Sequence, residues 1–320
     1  MKIAIVGYGN LGSAAELLHP CFPDLTLTAI YTRRPPESLP RTDRSVPLLP
    51  IERLEESDAE CLILAGSSDR DLPLLAPEYA ERFHIVDSFD THAKIPEHLS
   101  AVGRSAEKGG RVALIAAGWD PGLLSLARIY TKSFLPYARC NTFWGEGVSQ
   151  GHSAAVRHIP GVKDAKAYTL PRAEAKLLAS QGIALRDTER HRRKVYIVEQ
   201  EGADRNKIAR AVARIPGYFA GYETEVVFMD EKEFRAECRG LPHKGEVIAV
   251  GRTGKYRENR SSVAFSLSTE SNPEFTASIL LASARAVKRL AEDGKCGAFT
   301  FADIPPKYFL PPDVSLLKML

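Results

Sequence analysis

The sequence predicts an α/β protein in two parts: an N-terminal parallel sheet with helices, then a mixed α+β region. Three observations carry this. Strand-like and helix-like segments alternate from the first residues, and the early strands are continuously apolar. After Gly118, alternating strands are broken by Pro, Gly and charged helical stretches. At 320 residues, 44% of them hydrophobic, the chain is long enough to bury two cores.

Residues 2–6 form a short β-branched run, 11–18 read as a helix and 25–31 as a second strand, making a βαβ unit. Apolar runs at 61–65 and 84–87 add strands, with a helical segment at 73–82 between them, and 111–117 supplies another. Their continuous apolar character predicts cover on both faces. Further on, helical stretches are expected at 164–180 and 204–214. Residues 276–293 form an amphipathic helix with Ile279, Leu280, Ala286, Val287 and Leu290 on one stripe; it returns to the first domain or joins a subunit interface. The expected domains are 1–118, completed by about 295–320, and 119–294.

The 43 basic and 40 acidic residues nearly cancel to a formal +3, which argues against a nucleic-acid partner. The sequence has no apolar stretch long enough to span a bilayer and opens directly into strand-like residues, so a cytoplasmic protein with no membrane partner is expected. Its five cysteines are odd in number, widely spaced and free of any CxxC pair. They suggest neither a disulfide framework nor a metal site, and are read as reduced, mostly buried thiols.

Gly7-Tyr8-Gly9-Asn10-Leu11-Gly12 is a G-x-G-x-x-G between a strand and a helix. Gly7 permits the tight turn, Gly9 lets the backbone approach a pyrophosphate, and Gly12 lets helix pack on strand. The helix start, at Asn10 and Leu11, offers free amides to the phosphates. The first domain is therefore read as a Rossmann-like dinucleotide-binding domain. Where an acid would bind the ribose hydroxyls of NAD, at the end of the second strand, the chain has Thr32-Arg33-Arg34. Guanidinium forks match a 2′-phosphate, so the expected cofactor is NADP. Gly66-Ser67-Ser68-Asp69 follows the third apolar run and is placed over the cofactor.

Five further segments carry a likeness to a known family: Val86-Asp87-Ser88-Phe89-Asp90, Ala117-Gly118-Trp119-Asp120-Pro121-Gly122, the block from Phe143 to Ser153, Pro242-His243-Lys244-Gly245, and Ser271-Asn272-Pro273-Glu274. Together they resemble the meso-diaminopimelate dehydrogenase family, and the block around Trp144 is the most specific. The loop Ser67-Ser68-Asp69-Arg70 departs from the family's Ser-Ala-Thr-Asp.

The resemblance implies a homodimer whose second region binds substrate and pairs subunits. It implies reversible, NADP-dependent oxidative deamination of the D-centre of meso-2,6-diaminopimelate, giving L-2-amino-6-oxopimelate and ammonia for lysine biosynthesis. The D-configured end is then held by Asp90, Asp120 and Trp144, with Trp119 alongside and the amides of Gln150 and Gly151. Thr169, Arg193, His243 and Asn272 hold the distal L-amino acid. Arg190 and Arg192 lie so close to Arg193 that one insertion would shift that match. Ser88 and Phe89 fall with the cofactor residues. The bound ammonium must lose a proton before hydride can leave its carbon, and Asp90 and Asp120 are the expected catalytic acceptors.

The alternative that keeps the acidic pole and loosens the distal one is a broad-specificity NADP-dependent D-amino acid dehydrogenase. Aspartate-semialdehyde dehydrogenase needs a cysteine nucleophile, and neither Cys140 nor Cys238 sits in a motif of that kind. A redox-sensing regulator would leave the acids, Trp144, Arg193, His243 and Asn272 without a role.

Overall fold

The computed structural model describes residues 1–41 and 45–320. In chain order come β1 (Lys2–Val6), α1 (Asn10–Leu18), β2 (Thr26–Thr32), β3 (Leu48–Pro50), β4 (Cys61–Leu64), α2 (Leu72–Ala80), β5 (His84–Asp87), α3 (Ile95–Gly109) and β6 (Val112–Leu114). Then α4 (Leu123–Phe134) leads into β7 (Arg139–Trp144), β8 (Gly147–Ser149), α5 (Gln150–Arg157), β9 (Val162–Pro171), α6 (Ala173–Ser180), α7 (Asp187–Arg190), β10 (His191–Glu199), α8 (Arg205–Ala213), β11 (Thr224–Phe228), α9 (Glu231–Glu237), β12 (His243–Thr253) and β13 (Asn259–Thr269). The chain returns through α10 (Asn272–Glu292) to β14 (Gly297–Phe299).

Two compact units result, residues 1–126 with 273–320, and residues 127–272. The first is a parallel sheet ordered β14-β6-β5-β4-β1-β2-β3. Its strands alternate between two cores. Ile3, Ile5 and Ile63 face α1 and α10, whereas Ala4, Val6, Leu62 and Leu64 face α2 and α3. Burial on both sides is what the continuous apolar runs demanded. The second unit holds two small sheets, β11-β10-β9-β8 and β13-β12-β7, with antiparallel pairs except for β10–β11.

Of the two expected destinations of α10, the compact units show the return to the first, from Pro273 onward, and they divide after Leu126. Ala277, Leu280, Leu281, Ala284 and Val287 all enter the first core, and Leu123 and Leu126 pack against it. Arg285 adds a bidentate pair to Asp24, with both contacts at 2.6 Å, and donates to the Phe309 carbonyl at 2.9 Å.

Residues 162–171 are a strand, not the start of a helix. Val162, Ala165, Ala167 and Thr169 are buried alternately, while the charges that suggested a helix lie on the other face. The strand expected at 111–117 is only Val112–Leu114, because Ala116 turns the chain with φ +52°. Of the cysteines, Cys61 and Cys238 are buried, Cys140 is half-buried, and Cys21 and Cys296 are exposed. No described helix is long and apolar enough to cross a membrane.

Candidate active site

In the first unit the expected residues gather at the carboxyl ends of the parallel strands. Gly7, Gly9 and Asn10 to Gly12 follow β1; Thr32, Arg33 and Arg34 follow or end β2. Gly66 to Asp69 follow β4, Ser88 to Asp90 follow β5, and Trp119 and Asp120 come after β6. In an open parallel sheet this edge is where nucleotides bind, at the point between β1 and β4 where strand order reverses.

The glycine loop fits a dinucleotide. A Cβ on Gly12 would lie 2.0 Å from the Gly7 carbonyl oxygen, whereas one on Gly9 would meet nothing within 4 Å. Gly12 is therefore a packing requirement and Gly9 leaves room for a phosphate. No side chain caps the start of α1 and no acid lies in its first turn, which leaves the positive helix end to an anion.

Arg33 is largely exposed and pairs with Asp71 at 2.5 Å. Asp71 also accepts from the Ser67 amide at 2.9 Å and its hydroxyl at 3.0 Å. Arg34 donates to the Tyr8 carbonyl, and its amide donates to Thr32 Oγ1 at 3.1 Å. Asp71 was missed in the sequence because its contact with Arg33 spans 38 positions.

The Ser68 hydroxyl accepts the Asp90 amide at 3.0 Å. Asp90 itself is exposed and Asp120 half-buried. Phe89 is 2% exposed, with its ring in the core stacked on His98 at 4.1 Å, which leaves its backbone at the strand end.

In the second unit, Thr169 on β9 and Arg193 on β10 are directly paired in register. Arg193 donates to Thr169 Oγ1 and, at 3.1 Å, to the Tyr218 carbonyl, and its guanidinium carbon lies 4.0 Å over the Tyr222 ring. Burial lowers its pKa from the usual arginine value, with Tyr222 opposing. Strand alternation sets Arg192 and Arg193 on opposite faces of β10. Arg192 points outward to Glu225, and Arg190 pairs with Asp187 and sits 6.0 Å over Trp144.

The glycines after Trp144 bring its segment close to Thr169 and His243. A Cβ on Gly145 would lie 2.0 Å from the Thr169 carbonyl oxygen, and one on Gly147 would lie 2.5 Å from the His243 ring. His243 Nδ1–H donates to the Lys244 carbonyl at 2.9 Å, and burial depresses its pKa. The Asn272 amide donates to Leu241 at 2.9 Å, which sets it beside the Pro242-His243 turn. Gln150 and Gly151 open α5, where Ser149 caps the helix by accepting the His152 amide.

His191 escaped the sequence reading. It is fully buried, and its Nε2 accepts the Trp144 amide at 2.9 Å, while Nδ1–H donates to the Asp187 carbonyl at 3.1 Å. Its ring stacks on the indole at 5.3 Å. Burial, with Arg193, Arg190 and Lys176 nearby, pushes its pKa down to about 3, so the ring is neutral. His152 is likewise held at about 3 by burial and by Arg193.

The family model for the diaminopimelic acid dehydrogenase C-terminal domain matches residues 118–271. The meso-diaminopimelate D-dehydrogenase of Lysinibacillus sphaericus is 43% identical over 321 residues, 99% of this chain and 98% of that one. Among solved structures, the C. glutamicum DAP dehydrogenase in complex with DAP matches with a TM-score of 0.91 at 38% identity, covering 100% of this chain and 98% of that one. An engineered D-amino acid dehydrogenase bound to NADP+ matches at 0.88 with 37% identity and the same coverage. A parallel sheet with a dinucleotide loop, a second unit built around a buried arginine, and identity sustained along the whole length lead to one conclusion: this chain belongs to the meso-diaminopimelate D-dehydrogenase family.

Proposed function

We propose that this chain catalyses the reversible, NADP-dependent oxidative deamination of meso-2,6-diaminopimelate at its D-centre, yielding L-2-amino-6-oxopimelate and ammonia. The observation that carries the reading is the buried Arg193, whose partners are a hydroxyl, a carbonyl and a tyrosine ring. A buried guanidinium among neutral groups calls for an anion, and its fork matches a carboxylate.

Arg193 and Thr169 then bind the distal carboxylate. His243, whose Nδ1–H donates to the Lys244 carbonyl, and Asn272 supply further polar contacts to that end. At the reacting end, Asp90 and Asp120 hold the D-ammonium and take up its proton, directly or through water, which frees the nitrogen lone pair. Trp119, Trp144 and the amides of Gln150 and Gly151 orient that end.

Residues Gly7, Gly9, Asn10, Leu11, Gly12, Thr32, Arg33, Arg34, Gly66 to Asp69, Ser88 and the Phe89 backbone hold NADP, which acts as the hydride acceptor when bound. The reading includes a cytoplasmic enzyme of lysine biosynthesis working as a homodimer. In support of pairing, β13 is an 11-residue edge strand that exposes Val263 and Phe265.

The test is an alkaline assay of purified protein with NADP+ and meso-diaminopimelate, following absorbance of the reduced cofactor, with NAD+, the LL-isomer, D-lysine and D-alanine in parallel. Turnover confined to NADP+ and the meso compound supports the reading. Comparable rates with simple D-amino acids replace it by a broad-specificity enzyme, and no turnover with any compound sinks it. Light scattering at working concentration reports whether two copies pair.

A further inference from the structure

The parallel sheet holds an ionisable pair that the chemistry above does not use. Asp87, the last residue of β5, is 0% exposed, and His98 on α3 is 5% exposed. Asp87 Oδ1 accepts the amides of Phe89 at 3.0 Å and Ala116 at 2.9 Å, and its carbonyl accepts that of Ala117 at 2.8 Å. Its Oδ2 lies 2.7 Å from His98 Nε2, and the His98 ring is stacked on Phe89. With Oδ1 committed to two amides, the imidazole N–H serves Oδ2.

One carboxyl group therefore fastens two loops. The first runs from Phe89 into Asp90; the second runs from Ala116 and Ala117 into Trp119 and Asp120. Ala116 is held at φ +52°, a conformation an L-residue avoids at a cost of about 1 kcal/mol, and the Asp87 bond to its amide fixes it there. A buried polar pair is weak evidence for stability as such, because well-packed apolar side chains of similar volume commonly do as well.

We propose that the Asp87–His98 pair is a positioning device for the two acids, setting the spacing of Asp90 and Asp120 by holding both loops on one buried carboxyl group. The inference rests on the assignment of Asp90 and Asp120 to the reacting end given above. His98 touches no reacting atom; it acts through Asp87.

The test uses His98→Met and His98→Gln, two side chains of nearly the same shape, of which only Gln returns an N–H. In the NADP+ assay with meso-diaminopimelate, His98→Met lowers kcat/KM about 100-fold, mostly in kcat, as expected when acids are displaced by about 1 Å. Its NADP+ affinity stays within about twofold, and His98→Gln recovers about tenfold or more of the loss. In an Asp90→Asn background the Met change costs clearly less than in the unmutated enzyme, because only Asp120 of the two positioned acids is left to be displaced.

Wild-type kcat/KM in His98→Met, equal losses in Met and Gln, an effect fully additive with Asp90→Asn, or failure of both variants to fold would each overturn the proposal. A wild-type enzyme inactive on every D-amino acid instead removes the functional reading, and that is known before any variant is made.

Discussion

The proposed cofactor cradle and the proposed distal substrate pole address the same problem, holding an anion, by opposite means. The cradle combines backbone, in a glycine loop and an uncapped helix start, with exposed arginine side chains. The distal pole is made of buried side chains from separate strands, Thr169, Arg193 and His243, locked by neighbours such as Tyr222. A phosphate that keeps some water tolerates an exposed cation, whereas a carboxylate recognised for specificity needs a desolvated, rigid fork. The cradle should thus bend under mutation and the pole should break.

The largest effect tests the chemistry that both serve. Asp120→Asn should lower kcat/KM about 1,000-fold, within the range for loss of a general base, with NADP+ affinity nearly unchanged. A drop of less than about tenfold would remove Asp120 from proton transfer.

Next, Arg193→Met should raise KM for meso-diaminopimelate about 100-fold, the loss of a charge-assisted pair in a buried setting. Arg193→Lys should not restore it, because an ammonium lacks the fork. Steady-state kinetics against D-alanine sharpen the contrast, since a substrate without the distal carboxylate should lose far less.

At the cradle, Arg33→Ala or Arg34→Ala should cut the preference for NADP+ over NAD+ by about 10- to 100-fold and leave KM for the amino acid unmoved. If either change instead raised the amino acid's KM as Arg193→Met does, the distinction between cradle and pole would fail.

The smallest effect is a pH dependence of stability. His191 and His152 have pKa values near 3 in the fold against about 6.5 unfolded. Between those values the unfolded chain binds more protons, so stability falls as pH drops below about 6.5, by up to one proton's slope for each ring. Denaturant melts of His191→Gln, which keeps a donor and an acceptor, should show a shallower decline from pH 7 to pH 5 than the unmutated protein. An unchanged slope would mean that His191 is not held neutral.

Legibility in the sequence followed the reach of each interaction. The βαβ start, the glycine loop and Thr32-Arg33-Arg34 are local, and residues 2–6, 61–64 and 84–87 became strands as their apolar runs indicated. The Trp144 block and the acids at 90 and 120 were legible only through the family likeness, because an aspartate after a strand looks like any turn residue. Asp71, His191 and Tyr222 gave no signal, since each acts on a residue brought near by the fold, as Asp71 does on Arg33 across 38 positions. At 162–171 charge density hid a strand whose buried face is small residues, Ala165 and Ala167.

By itself, the sequence determined the α/β class, the dinucleotide loop, the basic end of β2 and, through likeness, the family, because each rests on residues adjacent in the chain. Only the tertiary structure decided that α10 returns to the first unit, that Arg193 rather than Arg192 turns inward from β10, and that Asp87 joins the loops of the two acids. Those outcomes depend on which faces are buried and which strands come into register, and burial and register belong to the assembled chain.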